Sequence, residues 1–396
     1  MLDVPLSEKT MARYQLAHMP RITGGAGARE IVGELAVARL RAGAQVLLVA
    51  DPGLKTTGLI DDVQASLTKA GLGVSVFSEF GGDPTVASAD AAAAQARRTK
   101  AKAVVSLGGG SALDLGKAVA AIATTAATAR RSAVDYEMCR RSFPRKRLTS
   151  IVIPTTSGTG SELTRTAILT RADKAKVWLW GEELKADEVI LDPQTTLSLP
   201  PALTAWTGID ALVHAIEAAT NANATAANNV FAHEAIGLAA MHLRKAVEYG
   251  TDIEAREGLQ RAAALAGAAI DNCGTAVAHN IGHALASLRP LHHGRSVALG
   301  MIATLGWNIA DDDGRFAAVA RAMGLRSAAE LPASFEALVR SVGIKVSLSE
   351  EFAGISPERL AGQMGRPENA AMRASNRRTI GDADLLVFAK RVLEQA

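Results

Sequence analysis

Aromatic residues are scarce, at 4% of 396 residues. Cysteine is nearly absent: Cys139 and Cys273 are far apart and belong to no CxxC. That excludes a disulfide framework and leaves reduced thiols in a cytoplasmic setting as the expectation. Long apolar runs are missing too. The longest small-apolar stretch, AVAAIATTAATA at 118–129, is too short and too rich in threonine to span a bilayer, so no membrane partner is expected. MLDVPLSEKTMARYQ shows no apolar core of a signal peptide. Neither sign of charge dominates. The formal net charge is +3, and the one basic stretch, in 128–147, reads as a solvated loop, so nucleic acid is not an expected partner. No internal repeat or low-complexity tract interrupts the chain.

Small and apolar residues are what the chain does have. It is 48% hydrophobic with 35 glycines, the balance of an alanine-rich α/β or α protein long enough for two domains. AQVLLVAD (44–51) is a continuous apolar run ending in an acid, as a strand buried on both faces would be. Helical periodicity follows at 54–70, then GVSVFSEF (73–80), a turn at 81–84 and a helix at 85–100. KAVVSLGGGSALDLGKAVA (102–120) reads as strand, glycine loop and helix. The alternation predicts an open parallel sheet.

The loop GGGS lies at the carboxyl end of a central strand. Its glycines, 108–110, let the backbone approach a ligand closely, and Ser111 is the expected N-cap of the next helix, whose free N–H groups favour a phosphate. A tight turn with no ligand is the plainer alternative. Asp51, at the end of the earlier strand, can accept ribose hydroxyls and would repel a 2′-phosphate, favouring NAD over NADP; a strand-end helix cap is its other reading. SIVIPTTSGTGSELT (150–164) opens from a further strand into a hydroxyl-rich loop, in which Thr155, Thr156, Thr159 and Ser161 could form the second wall of a nucleotide cleft. VWLW (177–180) and EVILD (188–192) complete the mixed portion. Beyond about 195 almost only helical periodicity remains, over 201–220, 224–249, 252–271, 275–288, 296–310 and four later segments. The boundary therefore falls near 195: a Rossmann-like dinucleotide-binding α/β domain at 1–194, and an all-helical metal and substrate domain at 195–396, with the cofactor between them.

Histidine is concentrated. Four of the eight lie in AVAHNIGHALASLRPLHHG (276–294). His279 and His283 stand four apart on one probable helix, and Asp210 and His214 repeat the spacing on another, in TGIDALVHAIEA. Four apart is one face, one turn up. Two such pairs, with His293 beyond a short loop, can surround one ion. Imidazole and carboxylate donors suit iron(II) or zinc, and a set of Asp210, His214, His279 and His293 leaves room for a substrate oxygen.

With those motifs in order, the chain resembles the iron-containing (group III) alcohol dehydrogenase family over nearly its whole length. The resemblance is carried by GGGSALDLGKA (108–118), IPTTSGTGSELT (153–164), DPQTTLSLPPALTAWTGIDALVHAIEA (192–218), EAREGLQRAAALAG (254–267), AHNIGHALA (278–286) and HHG (292–294). It implies that Asp210, His214, His279 and His293 are the metal ligands. It also implies that His283 lies near the nicotinamide and substrate, where it can relay a proton. Gly109, Gly110, Ser111 and Asp114 match the pyrophosphate loop, Thr155, Thr156 and Thr159 the second cofactor loop, Asp51 the acid that favours NAD, and Lys176 a lysine near the nicotinamide ribose. The implied activity is hydride transfer between NAD(H) and a small alcohol or aldehyde, in a homodimer or larger homo-oligomer.

The chain departs from the family at Ala269-Ile270-Asp271-Asn272, at SLRPLHHG and at Arg165, where aromatic or apolar residues are usual. Arg165, Thr166, Ile270 and Arg289 are the candidate substrate contacts; the two arginines either face the pocket and select a substrate bearing an acidic group, or are simply surface arginines. Maleylacetate reductase-like enzymes, which can act without metal, and dehydroquinate synthase-like lyases share the architecture and are the alternatives.

Overall fold

The computed structural model describes residues 14–124 and 131–395. The stretch before residue 14, the end of the apolar run at 125–130 and the last residue lie outside the described residues.

Six parallel strands form the central sheet: β1 (Arg21–Gly24), β2 (Gln45–Ala50), β3 (Gly73–Phe77), β4 (Ala103–Gly108), β5 (Thr149–Pro154) and, after a separate antiparallel hairpin of β6 (Thr166–Thr170) and β7 (Lys176–Trp180), β8 (Glu188–Leu191). The order is β1-β8-β5-β4-β2-β3. Side chains alternate across each strand, and both faces are covered. Leu47 and Val49 of β2 pack among the alanines of one helical layer, while Val46, Leu48 and Ala50 pack with Val63 and Leu67 on the other. A strand sandwiched this way is apolar at every buried position, which is why 46–50 carries no alternation. The covering helices are α1 (Val32–Val37), α2 (Leu59–Lys69), α3 (Val86–Arg98) and α4 (Gly110–Ile122).

From residue 201 onward the described chain is helical. It comprises α5 (Pro201–Thr220), α6 (Ala226–Glu248), α7 (Ile253–Cys273), α8 (Val277–Leu288), α9 (His293–Ile309), α10 (Arg315–Ala322), α11 (Leu331–Ser341), α12 (Pro357–Met364), α13 (Ala370–Ala374) and α14 (Asp382–Leu393). These helices share one apolar core of their own. The fold is thus a parallel-sheet α/β domain followed by an all-helical one. No helix among the described residues is long and apolar enough to cross a membrane.

Several local expectations need correction. β1 and β6 were not legible as strands, because each is short and flanked by turn or hydroxyl residues. α9 starts at His293, three residues ahead of its apolar periodicity. Ser111 is not the N-cap of α4. Gly109 holds that place with an extended backbone (φ −75°, ψ −174°), and Ser111 lies inside the first turn with its hydroxyl donating to the Gly82 carbonyl.

Candidate metal and nucleotide site

The chain path makes the crevice. After β3, at one edge, the chain crosses back over β2 to enter β4, so the connections leaving the carboxyl ends of β2 and β4 run to opposite sides, the place where open α/β sheets bind ligands. Asp51 ends β2 and Gly108 ends β4; the Asp51 amide donates to the Leu107 carbonyl at 2.9 Å. The Asp51 carboxylate accepts from the Gly53 amide at 2.8 Å, capping the short turn that follows. β4 and β5 end in register, Gly108 opposite Pro154, so the glycine loop and the hydroxyl loop emerge side by side. They touch: a Cβ added to Gly110 would lie 2.6 Å from Thr159 Cγ2, and one on Gly109 would lie 3.1 Å from Thr156 Cγ2. The Thr155 amide donates back to the Gly108 carbonyl at 2.9 Å.

The remaining residues of this wall divide into two groups. The Asp114 carboxylate is occupied by protein: it accepts from the Ser161 hydroxyl and from the Ile168 amide (2.9 Å), with Lys117 Nζ at 3.3 Å. Lys117, fully buried, also donates to the carbonyls of Ser161 (2.8 Å) and Thr166 (2.5 Å). Asp114 and Lys117 therefore brace the hydroxyl loop and β6. Lys176, on β7, reaches Asp83 at 3.0 Å, and its positive charge is among the influences that hold His283 and His293 unprotonated.

The metal cluster comes from three helices. α5 supplies Asp210 and His214, α8 supplies His279 and His283, and α9 begins with His293. Asp210, His279 and His293 form a group able to hold a metal ion. From Asp210 Oδ1 the distances to Nε2 are 3.5 Å for His279, 3.6 Å for His293 and 3.9 Å for His214. Ligands about 2.1 Å from one ion in a tetrahedral array lie roughly 3.4 Å apart, so Asp210, His279 and His293 suit a first-row divalent cation, while His214 stands beside them, 3.9 Å from Asp210 and outside that group. Two of them, Asp210 Oδ1 and His279 Nε2, are buried with no hydrogen-bond partner among the described residues. Buried donors and acceptors are rarely left so, and an ion between them satisfies both. Asp210 and His279 side chains are 3% exposed but His293 is 30% exposed, which leaves the cluster open on one side.

Electrostatics bind the cluster together. Burial alone would raise the Asp210 carboxyl, but the surrounding His214, His293 and His279 imidazoles outweigh it and hold it well below the usual carboxylate range. Burial lowers His214, and it lowers His293 to about 3 despite Asp210. His279 goes the other way, up to about 9, because Glu217 and Asp210 overcome burial. His283 is half-buried beside His293 and His279, and desolvation together with those neighbours and Lys176 holds it well below its ordinary value. Its ring centroid is 5.5 Å from that of His293.

Glu217 was not anticipated. It sits on α5, one turn beyond His214, and accepts from His279 Nδ1–H at 2.6 Å and from the amides of Ala276 (2.8 Å) and Ala278 (2.6 Å). One carboxylate thus caps the start of α8 and turns His279 Nε2 toward Asp210. The available signal was its position: seven residues after Asp210, it shares that residue's face of the helix.

The expected substrate contacts separate. The Arg165 guanidinium is taken by Glu182, by the Asp271 carbonyl (3.1 Å) and by the Trp180 ring beneath it (4.6 Å), while its amide donates to Asp271 Oδ1 at 2.7 Å. It is not presented to a ligand, contrary to the expectation from sequence. Thr166 starts β6, and Ile270 packs half-buried against the helical core. Arg289 follows α8, exposed and without a side-chain partner among the described residues. His292, just before His293, stacks on Trp206 with centroids 4.5 Å apart.

A nucleotide-type crevice in a parallel sheet, set against helices that converge imidazoles and a carboxylate, defines a two-domain metalloenzyme. Residues 20–193 match the family described as iron-containing alcohol dehydrogenase, and residues 204–387 match the C-terminal part of the Fe-containing alcohol dehydrogenase family. The chain belongs to the iron-containing alcohol dehydrogenase family and is an oxidoreductase. It is 37% identical over 313 residues to long-chain-alcohol dehydrogenase 1 of Geobacillus thermodenitrificans, covering 76% of this chain and 78% of that one. It is 33% identical over 381 residues to the probable alcohol dehydrogenase EutG of Salmonella typhimurium, covering 95% and 94%. The solved structure of sulfoacetaldehyde reductase from Bifidobacterium kashiwanohense in complex with NAD+ is similar with a TM-score of 0.88 at 26% identity, covering 97% of this chain and 99% of that one.

Proposed function

We propose that this protein transfers hydride between NAD(H), in preference to NADP(H), and a small alcohol or aldehyde, using iron(II) or zinc held by Asp210, His214, His279 and His293. The observation that carries the reading is the pair of orphaned buried atoms, Asp210 Oδ1 and His279 Nε2, beside a nucleotide crevice. The NAD-bound relative supports the cofactor. A divalent ion there supplies Lewis acidity toward the substrate oxygen, and the dinucleotide supplies the hydride acceptor or donor. The chain's own residues do the rest. The first amides of α4, with Gly109, Gly110 and Ser111, receive the pyrophosphate; Thr155, Thr156 and Thr159 line its other side; Asp51 accepts from the ribose. Asp114 serves by bracing the hydroxyl loop, and Lys176 contacts the nicotinamide ribose. His283, neutral because burial and neighbouring cations suppress its charge, accepts the alcohol proton and returns it in the reverse direction.

The working units of this reading are residues 1–194 for the dinucleotide and 195–396 for the metal and substrate. Two cysteines without a disulfide support a cytoplasmic protein. The exposed Leu16, Met19 and Ile22 along and before the edge strand β1 support pairing with a second copy. Thr166, Ile270 and Arg289 are the substrate contacts in this reading, with Arg289 alone free to meet an acidic group. The deciding experiment is metal content after anaerobic purification, paired with NADH oxidation against neutral and acid-bearing short aldehydes. One equivalent of iron or zinc with turnover supports the proposal. A metal-free, active protein moves the reading to a maleylacetate reductase-like enzyme, and a metal-bound protein with no net NADH turnover moves it to a dehydroquinate synthase-like lyase. Equal preference for neutral aldehydes, unaltered by Arg289→Ala, removes the acidic-substrate element.

A further inference from the structure

We infer that the metal centre and the nucleotide crevice are thermodynamically coupled through His214, so that metal binding tightens the hold on the adenosine diphosphate end of the dinucleotide. This rests on the metal and nucleotide sites proposed above, and goes beyond them in making one ligand regulate the other. His214 has two partners from different parts of the site. Its Nε2 faces Asp210 Oδ1 at 3.9 Å, and its Nδ1 lies 3.3 Å from the Gly158 carbonyl, in the middle of the hydroxyl loop. The ring is 5% exposed, so water does not substitute for either contact.

A neutral imidazole carries one proton, and its position decides which contact is favourable. With the proton on Nε2, the ring donates toward Asp210 and turns a lone pair on Nδ1 against the Gly158 carbonyl oxygen. A cation at Nε2 removes that tautomer. The proton must then sit on Nδ1 and is donated to Gly158, fixing the loop. The two tautomers are the discrete states that coupling requires, and the metal and the loop each favour the same one.

The loop has little slack to absorb the difference. A Cβ on Gly158 would fall 2.6 Å from the Thr207 carbonyl on α5, and Gly160, at φ +63°, lies so close to α7 that an added Cβ would be 2.4 Å from Gly267 Cα. At its other side the loop meets the glycine turn through Thr156 and Thr159. A change at Gly158 is therefore felt where a pyrophosphate would bind.

The test uses ADP, which lacks the nicotinamide end and so separates the loop from direct contact with the ion. Full-length protein is stripped with chelator, then reloaded with one equivalent of zinc and freed of excess. ADP affinity is measured calorimetrically, with amide hydrogen exchange over residues 155–161 followed in both forms without nucleotide. The expectation is ADP binding tighter by roughly 5-fold or more in the loaded form, with slower exchange in the loop. By reciprocity ADP raises zinc affinity by the same factor. His214→Ala should bind ADP as weakly as stripped wild type whatever zinc is present, and a zinc-dependent gain in that variant overturns the inference. Zinc bound with ADP affinity and exchange both unchanged also overturns it while leaving the proposed function standing. Failure of zinc to bind at all refutes the metal site itself.

Discussion

The metal cluster and the nucleotide crevice face each other, but they are made from opposite materials. The cluster consists of side-chain atoms, each aimed by a neighbour: Glu217 turns His279, and the Gly158 carbonyl holds His214. The crevice consists of backbone and small residues, and the absence of side chains shapes it, as at Gly109, Gly110 and Gly160. One half is disabled by removing atoms and the other by adding them. Rigid helices can carry ligands with atomic accuracy, whereas a phosphate-binding turn needs free amides and room.

The contrast can be broken at several points. The largest effect is expected from His279→Ala. It removes a ligand and leaves Glu217 buried without its imidazole, so metal content should collapse and turnover fall on the order of 10³-fold, with ADP still bound at the level of stripped wild type. Elemental analysis and steady-state kinetics check it. Next comes Gly160→Ala. Its positive φ and the backbone of Gly267 leave no place for a methyl group, so a loss of about 2–4 kcal/mol in unfolding free energy is expected, along with weakened NADH binding, while zinc is still retained. Denaturant titration and fluorescence binding separate the two losses. Glu217→Gln sharpens the comparison, because the side chain stays but the charge goes. Metal affinity should fall roughly 10- to 100-fold, with ADP binding in the stripped protein unaltered.

The smallest effect concerns Glu162, a buried carboxylate at the end of the hydroxyl loop with no role assigned in either site. Burial pushes the Glu162 carboxyl up to about 7, against a backbone hydrogen bond and nearby Lys117. The folded chain therefore keeps a proton that the unfolded chain releases near pH 4.5. Stability contributed by this group is fully present below that pH, declines as pH rises through about 7, and is flat above. Glu162→Gln should remove the decline and stabilise the protein at pH 8 by about 2 kcal/mol. Thermal unfolding at pH 5 and pH 8 is the measurement; an equal slope in both proteins would count against it.

The gathering of Asp210, His279 and His293 was legible because helical spacing is a strong code: Asp210 with His214, and His279 with His283, lie four apart in strongly helical sequences. The two adjacent loops at the carboxyl ends of β4 and β5 were legible because each follows an apolar run of strand length. Glu217 was hidden in the same helix, since a single acid in HAIEA reads as an ordinary surface charge until the amides of Ala276 and Ala278 arrive from a distant segment. Arg165 misled for a related reason. An arginine after a hydroxyl-rich loop advertises an anion, and nothing local reveals that the Glu182 carboxylate, beyond the β6–β7 hairpin, already supplies one, with the Asp271 carbonyl accepting beside it. Ser111 failed as an N-cap because Gly109, with no side chain to offer, reaches the required extended backbone first.

The connection between α8 and α9 is only Arg289 to His292, yet it joins two helices that both carry metal donors. Those helices do not depend on it for their placement. Gly294 lies so close to α5 that an added Cβ would be 1.9 Å from the Trp206 carbonyl, and Gly300 is pressed on the Ala278 carbonyl in the same way. Within the connector His292, which caps α9 and stacks on Trp206, is tied down, and Arg289 is left exposed. Descendants of such a chain could exchange Arg289 for other residues and acquire new substrates while inheriting the same ion-binding corner. Innovation and conservation would then be separated by four positions, from Arg289 to His293.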